Sequence, residues 1–180
     1  MKYTNILSLF TAILFLQACN ASFGDSSHFF KRKPGVAPVT NNLYKSECGS
    51  CHFAYQPGLL PEQSWNKIMN GLEDHFGDNA ELDVDSKNQI LSYLNANSAD
   101  KSDFRRSKKI MRSLKNKPAP MRISKIRYIK RRHHEIPSRM INGNEKVGSL
   151  SHCDACHQKI GQGSFREHEV RIPGYGHWDD

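Results

Sequence analysis

The sequence has few apolar residues and no long apolar run. Hydrophobic residues make up 37% of its 180 positions, and the mean hydropathy is -0.67. Its main apolar stretch, residues 6–16, is too short to cross a bilayer as a helix. No segment alternates apolar and polar residues in the way that predicts a half-buried strand. The sequence therefore predicts neither a membrane-spanning bundle nor a β-sheet protein.

Residues 1–18 have the features of a secretory signal. A short basic start, Met1-Lys2, is followed by the apolar stretch and then by a small residue, Ala18. The tetrapeptide Leu16-Gln17-Ala18-Cys19 resembles a bacterial lipobox, in which the cysteine becomes the lipidated first residue of the mature chain. The alternative is ordinary cleavage nearby, with no role for Cys19. We therefore expect a periplasmic protein, with Cys19 as the candidate site of a lipid anchor.

Two copies of a Cys-x-x-Cys-His motif occupy residues 48–52 and 153–157. The two thiols of such a motif can add to the vinyl groups of a haem, and the adjacent histidine can then bind the iron. The motifs predict two covalently bound haem c groups, attached through Cys48, Cys51, Cys153 and Cys156 and bound by His52 and His157. The two macrocycles would supply the apolar volume that the composition lacks, so the haem-free chain should fold poorly.

A zinc site and a dithiol redox pair are the alternatives for these motifs. Structural zinc pairs usually lie about 15 to 20 residues apart, whereas Cys48 and Cys153 are 105 positions apart. Zinc also does not require a histidine after each pair, and no βαβ pattern of the thioredoxin kind surrounds either copy. Haem attachment is the favoured interpretation.

The periodicity predicts an all-α chain with two small haem-binding domains. Residues 19–40 are expected to form an extended tether, which contains His28, and residues 41–100 an N-terminal domain like a class I cytochrome c. Its three helices would be a short one leading into the first motif, one from about Pro61 that Gly77 ends, and one that Asp83 caps. The apolar face of the second helix is expected to hold Trp65, Ile68, Met69, Leu72 and Phe76, and that of the third Val84, Ile90, Leu91 and Leu94.

The C-terminal domain, residues 101–180, is expected to be irregular and rich in loops. A basic helical segment over residues 101–117 leads into it, and a further helix is predicted from about Met121 to His134. A last short helix carries the second motif, and the tail around Pro173 and Gly174 is expected to fold over the second haem.

The sixth ligand of the first iron is assigned to His75. This histidine would lie on the flank of the apolar face of its helix, and Gly77 would let the chain turn away close to the iron. The alternative for His75 is a histidine at a helix end that contacts the last carbonyls. Met69 is the competing ligand, but it lies within the buried stripe.

For the second iron the candidates are His133 and His134. On a continuous helix His133 lies about 20° from Ile126, inside the apolar sector, and His134 about 80° away from it. His133 is therefore favoured and His134 is its alternative. His152 is too close to Cys153 to reach the far face of its own haem, and the other candidates are His168, His177, Met111, Met121 and Met140.

Charge is divided between the two halves of the chain. Residues 41–100 carry three basic and nine acidic side chains, whereas residues 101–139 carry fifteen basic and two acidic ones. We expect the acidic half to receive a basic redox partner, and the basic stretch an acidic partner or anionic lipid. The alternative is that the basic stretch offsets haem propionates and the acidic half. Nucleic acid is excluded as a partner by export.

These residues resemble the bacterial dihaem cytochromes c. The resemblance rests on Glu47 through the first motif, on Tyr55-Gln56-Pro57-Gly58-Leu59-Leu60-Pro61, Ser64-Trp65 and His75-Phe76-Gly77, and more loosely on His133-His134-Glu135-Ile136 and Ile172-Pro173-Gly174. It covers about residues 39–175. The resemblance implies two haem domains with bis-histidine ligation. His75 would be the second ligand of the first iron. When the family's His-x-Glu pattern is aligned to Glu135, its histidine falls on His133, which would be the second ligand of the second iron. It also implies a membrane-bound b-type cytochrome as donor and a small soluble haem protein as acceptor; we expect the chain to be a monomer.

The favoured function is therefore periplasmic electron transfer without catalysis. Two strong axial imidazoles keep each iron low-spin in both oxidation states and lower its reduction potential relative to methionine ligation. The alternative is a haem enzyme or gas sensor, in which one iron keeps an open site. A structural zinc protein is the third hypothesis.

Overall fold

The structure is a computed structural model that describes residues 33–178, and all of these belong to one compact unit. Residues 1–18 and Cys19, on which the signal and lipid predictions depend, lie outside the described residues, as does His28. Seven α-helices and one short hairpin are present in this part of the chain. The helices are α1 Asn42–Cys48, α2 Glu62–Met69, α3 Val84–Ala96, α4 Arg105–Leu114, α5 Arg127–Arg132, α6 Ser138–Ile141 and α7 Cys153–Cys156. None of the described helices is long and apolar enough to cross a membrane.

Helices α1 and α3 begin after residues whose side chains cap them. The side chain of Asn41 accepts a hydrogen bond from the Tyr44 amide at the start of α1, and that of Asp83 accepts one from Ser86 at the start of α3. The predicted Asp83 cap is therefore confirmed. Helix α2 packs against α3, and the core between the helices is formed by Tyr44, Trp65, Ile68, Met69, Ile90 and Leu94.

A buried turn at Pro57–Leu59 lies at the centre of the packing. The indole nitrogen of Trp65 donates to the Pro57 carbonyl at 2.9 Å, and the hydroxyl of Ser107 on α4 donates to the Gly58 carbonyl at 2.8 Å. The turn therefore connects α2 to α4, which is why these residues are fully covered although they form no long element.

The second helix is shorter than the periodicity predicts. Helix α2 ends at Met69, and a single 3₁₀ turn, Leu72–Asp74, follows. Asn70 and Gly71 interrupt the helix, because both residues favour helix ends. Phe76, expected on the buried face, is 40% exposed and has a positive φ of 61°. Val84, expected in the buried stripe of α3, is 72% exposed.

The basic segments are also less regular than expected. Helix α4 spans Arg105–Leu114, shorter than residues 101–117, and buries Ser107 and Ile110. The helix predicted from Met121 to His134 is instead a 3₁₀ turn at Ile123–Lys125 followed by α5, so His133 follows the helix as its C-cap.

The C-terminal part contains a two-stranded antiparallel hairpin, which the sequence did not predict. Strand β1, Arg171–Ile172, pairs with β2, Gly176–His177, around a turn that includes Pro173 and Gly174. Two residues per strand are too few to show an alternating pattern. The mainly helical class is nevertheless confirmed.

Hydrogen bonds join the part of the chain before residue 100 to the part after it. The hydroxyl of Tyr55 donates to the Ser151 carbonyl at 2.5 Å, and the side-chain amide of Gln56 donates to the Ile160 carbonyl. Val36 and Val39 are buried in the core, so the tether predicted for residues 19–40 does not extend to residue 40. The division into domains at 41–100 and 101–180 stays a prediction.

Candidate haem-binding sites

The first motif begins where α1 ends. Cys48 is the last residue of α1 and is partly buried, whereas Cys51 is exposed. Burial, and then the charge of Glu47, raises the pKa of the Cys48 thiol to about 11. The thiol of the unliganded motif is therefore protonated near neutral pH.

His52 and His75 face each other in the first site. Their ring centroids lie 6.1 Å apart, and their planes are nearly parallel, at 22°. Two imidazoles that bind one ion from opposite sides have nitrogens about 4 Å apart and ring centres about 6 Å apart, given metal–nitrogen bonds of about 2 Å. The separation therefore fits an iron between the two rings. Nδ1 of His52 lies 2.9 Å from the Phe53 carbonyl, a contact that assigns its proton to Nδ1 and leaves Nε2 free to bind a metal.

A tight loop delivers His75 to this position. The His75 amide donates to the Asp78 carbonyl at 2.7 Å, and the side chain of Asp74 accepts from the Gly77 amide at 2.9 Å. Gly77 has a φ of 109°, which side chains other than glycine rarely adopt. The sequence prediction of a turn at Gly77 is confirmed, although the turn follows a short 3₁₀ segment and not a long helix.

The electrostatic environment of His75 favours its neutral form. Burial, the neighbouring His52 and then Arg122 lower the pKa of His75, and Asp78 acts in the opposite direction. A neutral imidazole is the form that can ligate a metal. Met69, the competing ligand, is 2% exposed and belongs to the hydrophobic core.

The second site pairs His157 with His133. Their ring centroids also lie 6.1 Å apart, but the planes are nearly perpendicular, at 81°. Nδ1 of His133 lies 2.9 Å from the Ile129 carbonyl, the same kind of contact as that of His52. Burial, His133 and then Arg106 lower the pKa of His157 to about 4, so this imidazole is also neutral.

The other histidines of the described residues do not pair with a motif histidine. The side chain of His134 is 68% exposed, 3.5 Å from Glu135, and that of His168 is 69% exposed. His177 is exposed and contacts the His168 carbonyl. His152 lies beside the second site, where its Nδ1 contacts the Val147 carbonyl at 2.6 Å.

None of the three methionines considered as weaker ligands lines the cavity of the second site. Met121 is 40% exposed, and Met111 is partly buried against the core of the first helices. Met140 is partly buried in the short helix α6.

A cavity lined mainly by apolar side chains surrounds the second site. Both thiols of the motif and both facing histidines line it, together with mainly apolar side chains; the lining includes Cys153, Cys156, His133, His157, Ile129, Ile136, Val170, Ile172 and Trp178. Ile172 and Trp178 belong to the hairpin region, so the tail does contribute to this site.

The four motif thiols do not form a common metal site. Among residues 33–178, no three Cys, His, Asp or Glu side chains converge so as to hold a metal ion by themselves. Burial and then Asp154 raise the pKa of Cys153 to about 11 and also raise that of Cys156. The donor set therefore fits two haems, each with two thioether links, better than one tetrahedral zinc.

Several residues of these sites were not singled out from the sequence as site residues. The ring of Tyr55 packs on His52 at 5.2 Å, and that of Phe165 packs on His157 at 5.2 Å. Arg122 lies 3.9 Å above the ring of Phe76, beside His75. Tyr55 lies within the segment after the first motif that resembles the family, and this resemblance could have indicated a role for it near the site. Arg122 is one of fifteen basic residues in its stretch, so nothing distinguished it.

Comparisons with known proteins agree with this geometry. Residues 44–165 match the family model for dihaem cytochrome c. Among solved structures, a dihaem cytochrome c from Shewanella baltica is 41% identical, with a TM-score of 0.65, and the alignment covers 77% of this chain and 98% of that one. A dihaem cytochrome c from Rhodobacter sphaeroides is 43% identical, with a TM-score of 0.64 and coverage of 72% and 100%. Comparison with curated proteins gave no significant match.

Proposed function

Because the chain belongs to the dihaem cytochrome c family, which implies two covalently bound haem c groups, we propose that it is a periplasmic electron carrier with bis-histidine ligation at both irons. His52 and His75 would bind the first iron, and His157 and His133 the second. An iron held in this way takes up and gives back one electron without exchanging its ligands.

One observation carries this proposal. In both sites the histidine of the motif faces a second histidine, and the ring centroids are 6.1 Å apart in each pair. The same separation occurs in two loops with different backbone geometry. Coordination by imidazole from both sides leaves no position for a substrate or gas, and this favours electron transfer over catalysis.

The surrounding residues hold these ligands in place. The Phe53 and Ile129 carbonyls orient the rings of His52 and His133, and such outer contacts fix which nitrogen faces the metal. Apolar residues of the second cavity, among them Ile136 and Val170, would limit access of water to an iron bound there. Tyr55 and Gln56 bind the segment after the first motif to the segments beside the second motif, so the two sites keep a fixed separation.

Optical spectroscopy of the purified holoprotein tests the proposal. A pyridine haemochrome assay should give two haems per chain, and the spectra of both oxidation states should be low-spin. Carbon monoxide added to the reduced protein should leave the spectrum unchanged. A high-spin component or carbon monoxide binding would favour the haem enzyme or gas sensor, and absence of haem would favour the zinc protein.

We also propose export to the periplasm and a lipid anchor at Cys19. Support comes from the basic and apolar start of the sequence and from the lipobox-like tetrapeptide before Cys19. Mass spectrometry of the mature N-terminus tests both points, because lipidation adds a diacylglycerol and acyl chain to that residue. A mature chain that begins elsewhere would exclude the anchor but not the export.

The proposed redox partners are a membrane-bound b-type cytochrome as donor and a small soluble haem protein as acceptor. They rest on the family resemblance and on the opposite charges of residues 41–100 and 101–139. Such a division of charge orients encounters with partners of opposite sign.

A further inference from the structure

The side chain of Arg106 is held inside the fold beside the second site. It lies in the first turn of α4 and lines the cavity that contains His133 and His157. Its two terminal nitrogens donate to the Tyr128 hydroxyl at 3.3 Å and to the Phe165 carbonyl at 3.1 Å. The guanidinium carbon lies 4.7 Å from the centre of the Phe165 ring, and Phe165 in turn packs on His157.

The charge of Arg106 has no counter-charge within the described part of the chain. Both partners of its side-chain hydrogen bonds are neutral, and its Nε is buried without an acceptor. No carboxylate of residues 33–178 forms an ion pair with it. Burial, and then the charges of Arg132 and Arg105, lower the pKa of Arg106, whereas Tyr128 acts in the opposite direction.

The other charges that line the cavity do not compensate for Arg106. Arg132 and Glu167 both line it, and they contact each other at 3.5 Å. The charges of Arg132 and Glu167 cancel. The net charge of the ionised side chains that line the cavity is therefore the single positive charge of Arg106. Arg106 is only partly buried, but its Nε is covered and lacks an acceptor, so an anion brought to this position would stabilise the cation.

We propose that Arg106 is the binding site for a carboxylate group of the second haem. The inference rests on the proposed function, because the haem brings the anion. A guanidinium has five N–H donors and binds a carboxylate in a fixed geometry, and two of these donors are already held by Tyr128 and Phe165. The aromatic rings and the backbone of Gly35, whose carbonyl accepts from the Arg106 amide at 3.0 Å, keep the guanidinium at the edge of the cavity.

The same arrangement makes Arg106 a positioning residue that sets the reduction potential of the second haem. A fixed positive charge beside a haem favours the reduced iron, because reduction removes one positive charge from the site. The first site has a different neighbour, Arg122, which is exposed. The two haems of the chain should therefore respond differently to the loss of Arg106.

Redox titration of the holoprotein variant Arg106→Gln tests the proposal, with the first haem as internal reference. At a fixed solution potential we expect the ratio of oxidised to reduced second haem to rise about tenfold, which is a 59 mV fall in its midpoint. The midpoint of the first haem should stay constant. Arg112→Gln, an equal charge change on the exposed side of α4, should change neither midpoint, and Arg106→Lys should restore most of the loss.

A crystal structure of the wild-type holoprotein gives a second test that does not depend on a variant folding. A guanidinium nitrogen of Arg106 about 3 Å from a haem carboxylate oxygen would support the proposal. A haem carboxylate directed to solvent, or equal shifts of both midpoints in Arg106→Gln, would overturn it. A midpoint that changes with added chloride or phosphate would assign the site to a soluble anion and would also overturn it. The haem count and the low-spin spectrum test the proposed function separately.

Discussion

At the scale of single residues, the histidines are distinguished by the contacts of their ring nitrogens. Nδ1 of His133 is directed to the Ile129 carbonyl and its ring faces His157, whereas His134 is exposed beside Glu135. The helical-wheel argument that favoured His133 assumed a continuous helix, and α5 ends at Arg132. His133 reaches His157 as the C-cap of α5 and not from a helical face, and its role as a ligand stays a prediction.

Alanine substitutions of this histidine pair provide a direct test of ligation. In His133→Ala the second iron should lose its distal ligand, so the reduced protein should bind carbon monoxide at about half of its haems. His134→Ala should remain unreactive, because that ring contacts only Glu135 and solvent. Optical titration with carbon monoxide measures both, and the opposite pattern would make His134 the ligand.

The loop that carries His75 depends on the backbone of Gly77. Alanine there would have free space, since nothing lies within 4 Å of the added carbon, but its φ of 109° is strained for any residue with a side chain. We expect Gly77→Ala to lower the free energy of unfolding of the holoprotein by about 1 to 2 kcal/mol. Denaturant titration measures this loss.

Gly161→Ala is the matched control for that substitution. Its added carbon also meets nothing within 4 Å, and its φ is not positive. Its stability should be unchanged or slightly raised, because alanine restricts the unfolded chain. Equal losses in the two variants would show that the Gly77 conformation is not responsible.

At the scale of elements, the sequence predicts where helices begin better than where they end. The start of α3 follows from the Asp83 cap. The end of α2 was missed because Leu72 and Phe76 continue the apolar spacing beyond Met69. Leu72 is indeed buried, but from a 3₁₀ turn, and Phe76 packs against Arg122 from a distant part of the chain. Tertiary contacts of this kind leave no local periodic signal.

The site residues divide in the same way. The motif cysteines, His52 and His157 are recognisable from spacing alone, and His75 from its position before Gly77. Tyr55 and Phe165 lie close in sequence to the motif histidines that they contact, but neither composition nor periodicity distinguishes them. Arg106 contacts Phe165 from 59 positions away, so only the fold brings it to the second site.

The contact between α4 and the Pro57–Leu59 turn makes a prediction at this scale. Ser107→Ala would leave the buried Gly58 carbonyl without the hydroxyl that donates to it at 2.8 Å. The expected cost is about 1 to 3 kcal/mol of unfolding free energy. Ser113→Ala on the same helix removes only a local bond to the Ile110 carbonyl and should be nearly neutral. Thermal unfolding of both holoproteins compares them, and a neutral Ser107→Ala would show that the contact contributes little.

At the scale of the whole molecule, the basic surface is separated in sequence from the acidic one. Exposed cations of the 101–139 stretch include Arg112, Lys115 and Lys130, and none of these three has an ion-pair partner within residues 33–178. A surface of this kind attracts acidic partners and anionic lipid, and the attraction weakens with salt.

Vesicle binding by the unlipidated holoprotein measures this property. Replacing Arg112, Lys115 and Lys130 with glutamine should weaken binding to phosphatidylglycerol-containing vesicles about 100-fold, at about 1 kcal/mol for each cation near the surface. Replacing Lys45, Lys67 and Lys87 gives the same change of net charge in the acidic half and should have a much smaller effect. Equal losses would mean that net charge, and not the basic stretch, determines binding.

The backbone of Gly35 is joined to that of Gly163 by a hydrogen bond of 2.8 Å, and Val36 beside it is fully buried. A segment that precedes the first motif is thus held by one that follows the second. In the proposed export from the amino end, residue 35 would emerge well before residue 163. This backbone contact would therefore form only after both cysteine pairs had been translocated.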